Sequence, residues 1–214
     1  MFRLPSQNSA APSAEPLDIA ALLGTTAWSR LPAAVQRRFA RAHHDTTYAG
    51  TLALACSPLG RCFSFLTRTL GGPLPGVQSE GVPAQVRVYS NGRGGVVWER
   101  HLHLPGRAAA HTVRSTKQAG AGTTLIERTQ GGLAMELDVF EEGGALVFRS
   151  RRYFLALGGW RLPIPTVLTP GVCRVEHRDE GQGQFRFTLS MVHPWWGRTF
   201  HQTGMFADPK EDQA

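Results

Sequence analysis

Between Gly131 and Phe206 the chain consists of short runs in which apolar and polar residues alternate, with glycine-rich turns between the runs. Alternation with a period of two is typical of strands that bury one face. The apolar residues stay in phase across three turns, so successive runs can pair as antiparallel hairpins with one shared apolar face. This region therefore predicts a strongly curved antiparallel sheet or a barrel.

The N-terminal half adds helices and further strands. A helix is predicted from Leu31, where a proline suits the first turn and apolar residues recur at helical spacing. A strand over Thr47–Cys56 is followed by a helix from Ser57 to Gly71, which we expect to cover the sheet or to form a lid over a cavity. A hairpin follows over Ala84–Leu104. Two polar runs, 111–118 and 123–129, are predicted to be edge or solvent-facing strands.

The predicted fold class is mainly β with two or three helices: a strongly curved antiparallel sheet or an up-and-down calycin-like barrel. Short turns join consecutive strands, so these strands are expected to be neighbours. The alternative is a helix-grip α+β fold, in which the helix between the first two strands fills the concave side. A length of 214 residues suits one domain. We expect a disordered tail over residues 1–27, one β-rich domain over 28–209, and a tail over 210–214.

The net charge of +7 raises the question of nucleic-acid binding. The basic residues are spread along the chain without a recognised nucleic-acid motif, so no nucleic-acid partner is expected. No stretch reaches the roughly 18 apolar residues of a transmembrane segment, and the N-terminus lacks the apolar core of a secretion signal. Three cysteines without a paired motif argue against a disulfide framework. These observations predict a cytoplasmic protein.

Four polar side chains fall in phase with apolar faces. Arg100 is in line with Trp98 and Leu102, and a hairpin with matched apolar faces places Arg152 opposite Leu133. His177 and Gln202 share the phase of their apolar neighbours in the same way. Burial of an unpaired guanidinium is costly, so both arginines need an acid, a ligand or solvent.

These four residues are the candidate ligand-binding residues: Arg100, Arg152, His177 and Gln202. In the functional interpretation, the two arginines meet an anionic group in an apolar cavity, and the other two side chains add hydrogen bonds. In the structural interpretation, the arginines reach solvent or pair with Glu99 or Glu136, and a bulge changes the parity of a strand. Arginine is mostly exposed in folded proteins, which favours the structural interpretation.

Other chemistry has weaker support. Gly95 followed by His101-Leu102-His103 resembles the start of a cupin metal motif, and Glu99 shares the face of the two histidines, but the rest of that motif is missing. No nucleophile elbow, P-loop or dinucleotide fingerprint is present, so we expect neither a metal nor another cofactor. If the protein is an enzyme, the acid–base candidates are Glu99, His101, Glu176, His177 and His193.

Several stretches resemble an uncharacterised bacterial family that is known only as a domain of unknown function. They are Tyr48-Ala49-Gly50-Thr51, Pro58-Leu59-Gly60-Arg61, Gly94-Gly95-Val96-Val97-Trp98-Glu99-Arg100, Gly131-Gly132-Leu133-Ala134-Met135-Glu136-Leu137, Arg174-Val175-Glu176-His177-Arg178-Asp179-Glu180-Gly181, and His193-Pro194-Trp195-Trp196-Gly197 with Phe200-His201-Gln202. The resemblance covers roughly Leu31 to Pro209. It implies fusions to dinucleotide-binding oxidoreductase-like domains, and it supplies no site residues.

Two functional hypotheses follow. The first is a binding module for an apolar or amphipathic small molecule with an anionic group. The alternative is an enzyme or an accessory domain that works with an oxidoreductase-like protein partner. A purely structural role is the third possibility, and the sequence leaves open whether any reaction is catalysed.

Overall fold

The computed structural model describes residues 16–40, 45–71, 74–120, 122, 124–157 and 160–209. The helices are α1 (Ile19–Leu23), α2 (Thr25–Ser29), α3 (Ala33–Phe39) and α4 (Pro58–Leu66), with 3₁₀ turns at Arg68–Leu70 and Thr166–Leu168. The strands are β1 (Thr46–Cys56), β2 (Ser79–Ser90), β3 (Val96–Leu102), β4 (His111–Ala119), β5 (Leu125–Thr129), β6 (Leu133–Glu142), β7 (Ala145–Leu157), β8 (Trp160–Ile164), β9 (Val172–Gly181), β10 (Gln184–His193) and β11 (Gly197–Ala207).

The strands form a closed antiparallel barrel of ten strands. Consecutive strands are neighbours, β11 returns to β1, and β6 pairs with β7 to close the sheet. Strand β8 lies outside the ring and pairs only with the second half of β7, because the first half of β7 pairs with β9. The structure confirms the predicted up-and-down calycin-like barrel and not the helix-grip alternative.

The polar runs predicted as edge or solvent-facing strands are β4 and β5. Each of these strands is hydrogen-bonded on both sides, so the prediction is wrong. The physical reason is that three of their polar side chains, Ser115, Lys117 and Glu127, are buried and satisfy one another. A run that looks solvent-facing in the sequence therefore contributes a polar cluster to the core.

The first three helices close one end of the barrel, here called the α3 end. Leu17, Ile19, Val35 and Phe39 are buried against strand residues such as Phe148. The disordered tail predicted over residues 1–27 thus differs from the structure over residues 16–27, where apolar side chains form a small core; residues 1–15 lie outside the described part. The predicted tail over 210–214 lies outside it too.

Helix α4 lies at the opposite end, the α4 end, between β1 and β2. Ser57 caps the helix by accepting a hydrogen bond from the Gly60 backbone N–H, and Pro58 occupies its first turn. Phe63 points into a cluster of buried residues at this end, so α4 is a cover of the barrel. Within the described ranges, no helix is long and apolar enough to cross a membrane.

Replacement of a core ring gives a direct test of this packing. Phe148 is fully buried in the barrel, whereas Phe65 on α4 is exposed. We expect Phe148→Ala to lower the free energy of unfolding by about 3–5 kcal/mol, because it removes buried surface and leaves a cavity. Phe65→Ala is the matched control and should change it by less than about 0.5 kcal/mol in urea denaturation. Similar losses for both variants would contradict the placement of the core.

Candidate functional site

The interior of the barrel contains a small cavity between α3 and the middle of the sheet. Its volume is about 30 Å³, enough for about two water molecules. Its wall is mainly apolar and contains the polar groups of Arg38, Tyr48, Arg100, His177 and Gln202. Arg100, His177 and Gln202 are predicted site residues, and β3, β9 and β11 bring them together from separate parts of the sequence.

His177 stands in a cage of aromatic rings. The centroid of its ring lies 4.9 Å from that of Phe39, 5.4 Å from that of Phe187 and 5.6 Å from that of Trp98. Burial lowers the pKa of His177 to about 3, and nearby cations act in the same direction. The imidazole is therefore neutral at pH 7. Its Nδ1 atom is buried and has no hydrogen-bond partner among the described residues.

Arg100 belongs to a charged cluster inside the barrel. Lys117 Nζ lies 3.1 Å from Glu127 Oε2, and the Arg100 guanidinium lies 3.6 Å from Glu127 Oε1. Ser115 donates a hydrogen bond of 2.6 Å to the same carboxylate. Arg100 also donates to the Ser115 hydroxyl, over a long 3.5 Å. The closest contacts of Glu127 are thus with Lys117 and Ser115, while both contacts of Arg100 are long.

The charges of this cluster do not cancel. Burial opposes ionisation of Glu127, but Lys117 and Arg100 outweigh it and lower the Glu127 pKa to about 2. Glu127 is therefore a carboxylate at neutral pH. One carboxylate faces two basic side chains. Burial lowers the pKa of Lys117, so the cluster carries an excess of one positive charge as long as Lys117 keeps its proton. Such an excess attracts an anion to the cavity side of Arg100.

Arg38 is a site residue that the sequence reasoning missed. The helical pattern from Leu31 places Arg38 on the polar side of the predicted helix, yet its side chain is buried. The guanidinium donates to Asp179 at 2.9 Å and to Asp208 at 2.6 Å, and it lies over the Phe185 ring at 4.3 Å. Its Nη1 atom is buried without a hydrogen-bond partner in the described structure. The available signal was its spacing of three residues from Val35, which places it at the edge of the apolar stripe.

Arg152 is not in the cavity. A bulge between β6 and β7 pairs Leu137 with Ser150 but Glu136 with Arg152, so Arg151 is the extra residue. The change of parity turns Arg152 to the outer surface, where its side chain is 66% exposed and bonded to Glu136 at 2.9 Å. The predicted inward orientation of Arg152 is therefore wrong.

The acid–base candidates do not converge on one place. Glu99 and His101 point outward and lie 3.0 Å apart, and Glu176 bonds to Arg174 and Arg178 on the outer wall. His177 pairs with Phe187, and His193 lies six residues farther along that strand, roughly 20 Å away. Of the five candidates, Glu99 and His101 therefore form a pair on the outer wall, and Glu176, His177 and His193 lie apart from it and from one another.

No cluster of three potential metal ligands occurs among the residues that the structure describes. The two histidines of the cupin-like stretch do not lie on the same strand. His101 is on β3, and His103 is exposed beyond the end of that strand. His101 is bonded to Glu99 and to the Thr112 hydroxyl. These contacts give Glu99 and His101 structural partners on the outer wall.

The comparison with known proteins identifies a family. Residues 31–206 match the family described as "Domain of unknown function (DUF4166)". The match covers most of the chain, and the protein belongs to this family. No curated protein matches the sequence.

The buried state of His177 predicts a pH dependence of stability. Its pKa is about 3 when folded and 6.5 in an ordinary setting. Between these values the unfolded chain binds a proton that the folded protein does not, so the free energy of unfolding falls as the pH decreases below 6.5. His177→Phe should remove this component, which reaches about 2–3 kcal/mol at pH 4.5.

Urea denaturation at pH 7.5, 5.5 and 4.5 measures this difference. Gln202→Leu is the matched control, because it changes a neighbouring cavity residue without removing a titratable group. Its pH dependence should run parallel to that of the unmodified protein. Parallel curves for His177→Phe as well would contradict a buried, neutral His177.

Proposed function

We propose that this DUF4166 domain is a binding module for a small amphipathic molecule with an anionic group. The anionic group contacts Arg100, and the apolar part occupies the space that Phe39 now fills in the barrel interior. His177 and Gln202 add hydrogen bonds to the polar end of the ligand.

One observation carries the proposal: unsatisfied polar atoms and an excess positive charge meet at one apolar cavity. Arg38 Nη1 and His177 Nδ1 are buried without hydrogen-bond partners in the described residues, and both side chains line this cavity. Arg100 also lines this cavity, and its guanidinium contacts Glu127 in the charged cluster. An unpaired buried polar group costs about 1–3 kcal/mol, so a ligand that pairs with these atoms recovers that cost.

The anionic character of the ligand follows from the donors. Guanidinium groups only donate hydrogen bonds, whereas a neutral imidazole donates from one ring nitrogen and accepts at the other, so the preference for an anion comes from the arginines. A carboxylate or a phosphate accepts such bonds and also balances the excess charge near Arg100. A cationic ligand would instead add to the positive charge of Arg100 and Lys117.

The size of the ligand requires movement of α3. A cavity of about 30 Å³ does not hold a molecule with an alkyl chain, because Phe39 fills the space between Trp98 and Phe148. Helix α3 has seven residues and is held by Phe39 and by the ion pairs of Arg38 with Asp179 and Asp208. Withdrawal of Phe39 opens an apolar space directly beside Arg100 and His177.

Isothermal titration calorimetry with decanoate tests the role of Arg100. We expect Arg100→Gln to weaken binding at least about tenfold, since a hydrogen bond to a charged group contributes about 1.5–3 kcal/mol. Arg152→Gln is the matched control: it removes the same charge from the outer wall and should leave the affinity within about twofold. Equal affinities for the two variants would rule out the contact of the anion with Arg100.

A series from butanoate to decanoate tests the apolar part of the proposal. Each methylene buried in the barrel should improve the affinity by about fourfold, from roughly 0.8 kcal/mol per group. An affinity that does not change with chain length would show that only the anion is bound. Circular dichroism of each variant checks that its fold is intact.

A further inference from the structure

The exposed apolar side chains of this protein are collected at one end of the barrel. Across the described ranges, the exposed large hydrophobic residues are Phe65, Leu66, Leu157, Trp160, Leu162, Leu168, Val172, Val192, Trp195 and Trp196. Trp160 and Trp195 are the most open, at 77% and 69% exposure. This set is defined as the apolar rim.

The topology explains why these residues share one end. Strand β1 runs from the α3 end to the α4 end and leads directly into α4, which carries Phe65. Strands β7 and β10 run in the same direction, so Trp160 after β7 and Trp195 after β10 extend beyond this end of the barrel. The 3₁₀ turn with Leu168 lies just before β9, which starts at the same end. The apolar rim is thus built from four separate segments.

The net charge differs between the two ends of the barrel. The α4 end carries the arginines Arg61, Arg68, Arg107, Arg161 and Arg198 among the segments of the apolar rim. In the described residues at that end, Glu80 is the single carboxylate. The α3 end carries the carboxylates Asp18, Asp45, Glu141, Glu142, Asp179, Glu180 and Asp208 together with the arginines Arg30, Arg37, Arg38, Arg87, Arg93, Arg178 and Arg186, so its charges largely balance. Positive charge is therefore in excess at the α4 end, and a negative surface would attract this end of the barrel.

The α4 end also contains an open groove. It has a volume of about 620 Å³ and lies between α4, residues 74–77 and the connection from β3 to β4. Arg61, Arg68 and Arg107 line it. Three guanidinium groups around an open groove are suited to phosphate groups.

We propose that the α4 end docks on a membrane surface that contains anionic lipids. The tryptophan and leucine side chains of the apolar rim enter the boundary between headgroups and acyl chains, and the surrounding arginines contact the phosphates. Basic side chains next to exposed aromatic rings fit such a surface, because its negative headgroups lie directly above the apolar acyl chains. The net charge of +7 acts in the same direction.

Vesicle binding measures this interaction directly. The 214-residue protein is titrated with vesicles of phosphatidylcholine alone or with 30 mol% phosphatidylglycerol, and binding is followed by flotation and by tryptophan emission. We expect binding to the anionic vesicles with a blue shift of the emission, weak binding to neutral vesicles, and a loss of affinity as salt increases. No binding to the anionic vesicles would overturn the proposal and favour a protein partner for the rim.

Paired variants locate the surface. Arg161→Gln with Arg198→Gln should weaken binding at least about tenfold, and Trp160→Ser with Leu162→Ser should reduce the blue shift. The control, Arg30→Gln with Arg186→Gln, removes the same charge from the α3 end and should weaken binding less than threefold. Equal losses for the two arginine pairs would contradict a specific orientation.

The variant Arg100→Gln separates this proposal from that of ligand binding. Arg100 lies inside the barrel, so its replacement should leave vesicle binding unchanged even where decanoate binding is lost. Loss of vesicle binding in Arg100→Gln would place the lipid contact inside the barrel and overturn the docking surface at the α4 end.

Discussion

The pairing of β6 with β7 is the contact on which the interior depends, because it closes the sheet into a ring. Closure places the side chains of β3, β9 and β11 around one enclosed space, although they lie far apart in the sequence. The same pairing contains the bulge at Arg151, which turns Arg152 to solvent. The interior therefore receives Arg100 and Lys117 from the strands but not a third basic side chain from β7.

The enclosed charges have a direct physical consequence. Glu127 remains ionised because two cations and the Ser115 hydroxyl surround it, and its contact with Lys117 is shorter than its contact with Arg100. Arg100 thus keeps an incomplete set of partners on the side that faces the cavity. Phe39 and Arg38 of α3 cover that side, so one short helix lies between solvent and these polar atoms. Recognition of an anion and displacement of this helix are therefore coupled in the proposed mechanism.

The sequence predicted much of this architecture and part of the site. Alternation of apolar residues predicted the strands, and the parity of Arg100, His177 and Gln202 placed them on the inner face. Parity failed for Arg152 because a bulge adds a residue without leaving a mark in the hydrophobic pattern. It also failed for Lys117 and Glu127, since a buried ion pair looks like two solvent-facing residues until the strands are placed side by side. The burial of Arg38 was not predicted, because its partners Asp179 and Asp208 are distant in sequence.

In the proposed function, the inside of the barrel beside Arg100 receives the anionic end of an amphipathic ligand when Phe39 withdraws. A crystal structure of the protein with decanoate would show this arrangement. We expect a carboxylate within hydrogen-bond distance of the Arg100 guanidinium, an alkyl chain in the space now filled by Phe39, and a displaced α3. Decanoate bound only on the outer surface, with Phe39 still between Trp98 and Phe148, would contradict this arrangement.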